Sequence, residues 1–185
     1  MKELTEKDYQ DAAWKLGCEV AIIKAVAEVE SGGGGFIKES PKILFEAHQF
    51  YKRTPVTCDD KSICVEGWSE ARKLYKGGLR EYPRLLLAMS YDTEAALESA
   101  SWGKFQIMGF NYYRCYYQTV EDFVQDMFKT EREHLKAFLN FIDSSGLTQA
   151  MRDKDWDKFA RKYNGASYKV NRYDERLKRA YHKYS

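Results

Sequence analysis

Only three prolines and four cysteines occur among the 185 residues, and nowhere do eighteen apolar side chains run together. Scarce proline leaves long helices free of the residue that breaks them. Cys18, Cys58, Cys64 and Cys115 are scattered with no CxxC pair, which excludes a zinc cage and a dense disulfide scaffold and makes free thiols the expectation. The absent apolar run excludes a bilayer-spanning helix by hydropathy. A dominant sign of charge is missing too: 30 basic against 28 acidic residues give +2, too balanced for a dedicated nucleic-acid binder. His48, His134 and His182 stand singly, without HExxH or paired-cysteine spacing, so neither a metal nor another cofactor is expected.

What is present suits one packed domain spanning residues 1–185. Hydrophobic residues make up 44% and charged residues 31% of a 21.7 kDa chain, enough for a core and outside the disordered class. Aromatics reach 15%, useful for packing and for flat, polar-edged ligands alike. Charge is uneven: from Lys158 onward nine basic residues face two acidic ones, +7, while residues 1–157 carry −5. The opening MKELTEKDYQ mixes acids with bases and leads into no apolar segment, so a Sec signal is not expected and synthesis is placed in the cytosol.

Periodicity is helical almost throughout. Thr5 followed by Asp8 resembles a capping box and Gly17 a C-cap, predicting a first helix over 6–16. Ile22, Ile23, Val26 and Val29 predict a second over 19–30, stopped by SGGGG. A third pattern, from Val120 to Ile142 behind Thr119, predicts one long central helix. Shorter helices are expected near 43–53, 68–76, 80–91, 93–100, 103–112, 147–152, 155–163 and 168–183, with a polar loop from Thr54 to Gly67. Period-two alternation is rare, so the fold class is mainly α with at most a short β-hairpin near 32–42.

Glu30 stands out. It occupies the last turn of the second helix, where the carbonyl end of the helix dipole disfavours negative charge, and it extends the buried stripe of Ile23 and Val26. Glu28 lies about 200° around the helix and four residues after Lys24, the position of a solvated ion pair. A carboxyl group kept protonated near neutral pH can give a proton to a leaving oxygen, as glycosidic cleavage requires. Many Glu-Ser-Gly sequences merely end helices, so position alone leaves both readings open.

Four blocks extend through most of the chain: AVAEVESGGGGF (Ala25 to Phe36), PKILFEAHQF (Pro41 to Phe50), ASWGKFQIMGFN (Ala100 to Asn111) and FARKYNGASYKVNRYDERL (Phe159 to Leu177). In this order they resemble the N-acetylmuramidase family of phage and prophage endolysins. The ES pair, the SxGxxQIM stretch and the YN pair also resemble goose-type lysozymes and lytic transglycosylases. The resemblance implies a lysozyme-like multi-helix fold, a cleft for the peptidoglycan glycan strand, cleavage of the β-1,4 bond after N-acetylmuramic acid, and Glu30 as catalytic acid.

It also implies a substrate-binding set. Ser31 accompanies the acid; Ser101, Trp102 and Gln106 form one wall, the indole stacking on sugar and the amide bonding to it; Tyr163 and Asn164 close the opposite wall. Trp102 is equally an ordinary core aromatic on composition alone. Glu46 is the candidate second carboxylate, with a structural or sugar-binding role ranked slightly above a catalytic one, and His48, two residues on, is counted with the substrate-binding residues, its alternative role being a hydrogen bond within the fold. The C-terminal segment predicts a basic amphipathic helix. Its bland role is docking on the core. Its sharper role is contact of Arg172, Arg176, Arg179 and Lys183 with anionic outer-membrane lipid. The remaining alternatives are a lytic transglycosylase, a non-catalytic wall-binding module, and a membrane-permeabilising protein. A monomer is expected, active on the wall after a membrane lesion releases it from the host cytoplasm.

Overall fold

Thr5 starts the first helix by the predicted device: its hydroxyl accepts from the Asp8 backbone N–H, and the Asp8 carboxylate accepts the Thr5 N–H at 2.8 Å. Helix α1 (Glu6–Leu16) ends at Gly17, whose φ of 61° is the left-handed conformation glycine adopts most cheaply. Helix α2 (Val20–Ser31) follows at once, with Ile22, Ile23, Ala25 and Val26 fully buried. The computed structural model describes residues 2–31, 33–164, 169 and 172–185, and of Asn164 the backbone alone.

Two small antiparallel sheets come next. Strands β1 (Phe36–Ile37) and β2 (Ser40–Pro41) pair Phe36 with Pro41, giving the hairpin expected near 32–42. A second sheet exceeds the one-hairpin expectation. Strand β3 (Ile43–Phe45) pairs with β4 (Ala100–Trp102), setting Leu44 opposite Ser101, and β4 pairs with β5 (Ile107–Met108). Helices expected near 43–53, 93–100 and 103–112 therefore give way in part to strands of two or three residues. The last of them becomes β5 followed by a 3-10 helix at Gly109–Cys115.

The remaining elements are α3 (Ala47–Arg53), α4 (Trp68–Lys73), a 3-10 turn at Gly78–Glu81, α5 (Tyr82–Tyr91) and α6 (Thr93–Glu98). After these come α7 (Val120–Met127), α8 (Glu131–Ser144), α9 (Thr148–Arg152), α10 (Trp156–Asn164) and α11 (Tyr173–Tyr184). The long central helix is two helices. Glu131 donates its backbone N–H to Lys2 O at 2.7 Å, and the His134 ring takes up Met127 O at 2.7 Å, so tertiary contacts replace helical bonds at the break. Leu135, Ala137, Phe138, Leu139 and Ile142 of α8 fill the core, and α11 packs along α2 through buried Leu177 and Ala180.

The polar loop from Thr54 to Gly67 is without helix or strand but not wholly exposed: Ile63, Cys64 and Val65 are buried. Buried Arg84 ties it down, donating to Ser62 O at 3.1 Å, Phe45 O at 3.2 Å and the fully buried Glu81 carboxylate at 2.7 Å. All four cysteines are free thiols. Among the described residues no helix is long and apolar enough to cross a membrane.

Candidate active site

Helix α2 brings Glu30 to its final turn, half-buried, with Oε1 shielded from solvent. No basic residue of α2 itself occupies that turn. The fold supplies one from elsewhere: the Arg176 guanidinium of α11 donates to Val29 O at 3.2 Å. The carbonyl end of the helix therefore meets a cation that the local sequence did not indicate. Across from it Tyr163 of α10 stacks on Phe159 at 5.6 Å and meets Phe138 and Phe141 edge-on. Burial, and then the negative charge of nearby Glu30, push the Tyr163 phenol well above its ordinary pKa. Tyr163 thus lies near Glu30, whereas the Asn164 side chain lies outside the described residues. Ser31 is buried and lines a depression with Tyr9, Lys24, Gly33, Lys104 and Tyr184, whose lining does not include Glu30.

The second sheet builds the wall expected from Ser101, Trp102 and Gln106, with changed roles. Successive strand residues face opposite sides, so Leu44 and Ser101 share one face while Ile43, Phe45, Ala100 and Trp102 turn into the core. Trp102 is 2% exposed and spends its indole N–H on Leu97 O at 3.0 Å, so it has no ring face for a sugar and is a core aromatic. Gln106 is half-buried and braces the β4–β5 turn. Its amide nitrogen donates to Gly103 O at 2.8 Å and Lys42 O at 3.2 Å, and its carbonyl accepts from Ser101 Oγ at 2.9 Å. Both amide donors are engaged, which leaves one lone pair on Oε1 for a ligand.

Glu46 follows β3 and caps α3 by position, its backbone N–H donating to Ser99 O at 2.9 Å. Its half-buried carboxylate accepts the Tyr75 hydroxyl at 2.5 Å and lies 3.3 Å from His48 Nδ1. The Gln49 carbonyl oxygen takes Arg53 at 2.6 Å, which turns its amide N–H toward His48 Nε2 at 3.0 Å. His48 Nε2 therefore accepts, and Nδ1 carries the hydrogen on the side of Glu46. Burial holds the His48 pKa below its usual value, against the pull of Glu46, and burial with Glu46 pushes the Tyr75 phenol up. Glu46, His48 and Tyr75 thus form one polar cluster at the end of β3. Tyr75, in the loop after α4, carried no sequence signal. Among the described residues no three His, Cys, Asp or Glu side chains come together as a metal cage.

The second helix ends in a half-buried carboxyl near a tyrosine, within a mainly α fold that carries two small antiparallel sheets, which is the architecture of a lysozyme-like glycoside hydrolase. The family model described as N-acetylmuramidase matches residues 19–185, and the chain belongs to that family. It is a muramidase, a hydrolase of peptidoglycan. Among solved structures it is similar to the crystal structure of the Burkholderia AP3 phage endolysin, with a TM-score of 0.89 and 38% identity over 99% of this chain and 71% of the other. No curated protein matches the chain.

Proposed function

We propose that residues 1–185 act as one catalytic domain that cleaves the β-1,4 bond after N-acetylmuramic acid, with Glu30 as the general acid, in the lysis of a phage-infected or prophage-bearing cell. The observation that carries this reading is the place of Glu30: the end of a buried helix, its carboxyl partly withdrawn from water and beside the phenol of Tyr163. A general acid must hand its proton to the glycosidic oxygen, and a carboxyl at the end of a buried helix is placed to do so. The likeness to a phage endolysin over almost the whole chain supports the lytic role. In that role the enzyme meets its wall substrate once the inner membrane is breached.

Glu46 is assigned to sugar binding or to ordering the cleft in preference to nucleophilic attack, because Tyr75 and His48 already converge on one of its oxygens. That same engagement favours, as a second reading, a lytic transglycosylase, which needs one acid/base and no activated water. Mass spectrometry of released muropeptides separates the two. Hydrolysis is expected to give reducing ends, and a uniform deficit of one water would assign the transglycosylase outcome.

We propose contact with anionic lipid chiefly through Arg179: Arg172 pairs with Glu175, Lys183 with Glu28 at 2.6 Å, and Arg176 with the Val29 carbonyl, while Arg179 is exposed and acts on Glu175 only through its charge. Exchanging an intramolecular partner for a phosphate gains little at an exposed site. Arg179→Glu is therefore expected to weaken binding to anionic vesicles without altering hydrolysis of lipid-free walls. Unchanged vesicle binding would remove the lipid role.

A further inference from the structure

Glycine has more backbone freedom than any other residue, so Gly33, Gly34 and Gly35 keep a fixed course through contacts from elsewhere in the fold. Gly33 and Gly35 are held from behind. Buried Glu131, at the start of α8, accepts the Gly35 N–H at 2.6 Å on one oxygen and the Leu4 N–H at 3.2 Å on the other. Lys104, in the β4–β5 turn, reaches Glu131 at 3.1 Å and donates to Gly33 O at 3.1 Å. His134, one turn further along α8 and 1% exposed, accepts the Lys104 backbone N–H on Nδ1 at 3.1 Å. Its Nε2 faces Met127 O at 2.7 Å, which fixes the neutral tautomer with hydrogen on Nε2.

Both segments press on the same imidazole. A Cβ built on Gly35 would lie 2.6 Å from His134, and one on Gly103 would lie 2.9 Å from it, while Phe36 stacks on the ring at 4.9 Å. In front of the ring Lys42 joins them again: its N–H donates to Gly35 O at 2.8 Å, and its carbonyl accepts from Gly103 N at 2.8 Å and from Gln106. Burying an ion pair is a poor route to stability, because desolvation offsets most of the attraction. What a charged, directional contact adds over apolar packing is a fixed position for the groups it holds.

We infer that Lys104, Glu131 and His134 form a buried clamp that sets the separation between the loop carrying on from Glu30 and the β4–β5 turn braced by Gln106. They are positioning residues for the glycan that passes between these segments. The inference rests on the assignment of Glu30 as the acid. It requires that both segments border the substrate.

The histidine can be divided into its two bonds. In His134→Asn the side-chain oxygen takes the place of Nδ1 and keeps the acceptor for Lys104, whereas His134→Gln keeps the donor to Met127 and loses that acceptor. Steady-state hydrolysis of dye-labelled, lipid-free peptidoglycan is measured for both variants, for Lys104→Met and for Glu30→Gln, alongside thermal unfolding. At temperatures where each variant is fully folded, His134→Gln and Lys104→Met are expected to lose on the order of 10–10²-fold in kcat with KM little changed. His134→Asn is expected to recover most of that loss. Equal losses for Asn and Gln, or losses that appear only where unfolding begins, would overturn the clamp, and Lys104→Met decides alone if His134→Gln does not fold. Full activity of Glu30→Gln would instead defeat the acid assignment. An inactive Glu30→Gln beside folded, fully active Lys104→Met and His134→Gln would defeat the clamp alone.

Discussion

Glu30→Gln is expected to slow glycan cleavage by about 10²–10⁴-fold, the range lost with a positioned general acid, while folding and wall binding persist. The amide matches the carboxyl in size and fits the same half-buried place at the end of α2, but it has no proton to surrender to the leaving oxygen. Turbidity loss on purified, lipid-free walls measures the chemistry, and co-sedimentation with the same walls measures binding. Wild-type turbidity loss by the variant would reject the enzymatic role of this residue. A wild-type protein that sediments with walls without releasing muropeptides would mark a binding module.

Removing residues 173–185 is expected to be the most damaging change to stability. Leu177 is fully buried against α2, Ala180 nearly so, and Tyr181 reaches Glu19 at 2.7 Å while Arg176 closes the end of α2. Truncating a buried leucine to alanine alone costs about 2–5 kcal/mol, a large part of the roughly 5–15 kcal/mol that holds a domain folded. Leu177→Ala should therefore lower the urea midpoint markedly, and loss of the whole helix should leave the chain largely unfolded. A truncated chain with the wild-type midpoint would disprove docking. Intact folding with unchanged permeabilisation would dispose of the membrane role as well.

The elements legible in the sequence are those whose signals are local. Helix α1 runs over the predicted 6–16 because Thr5, Asp8 and Gly17 are caps that act within four residues. The break between α7 and α8 was hidden because the apolar spacing stays in phase across it, from Phe128 to Leu135, while the contacts that make it come from Lys2 and the His134 ring. Strands β4 and β5 are too short for a period of two to register. At the site, the position of Glu30 in a buried stripe was readable, and so was its company with Tyr163 through the family blocks. The enclosure of Trp102 and the spent amide donors of Gln106 were not readable, since residue type does not say which way a short strand faces. Arg176 is visible in the sequence as a cation, but its partner, a backbone carbonyl 147 positions earlier, is not.

That last separation has a temporal side. A ribosome adding about 5–20 residues per second needs roughly 7–30 s to travel from Val29 to Arg176, and over that interval the helix bearing the acid has α1 to pack on but not α11. The part of α2 that α11 covers is thus closed only after translation has passed Leu177 and Ala180.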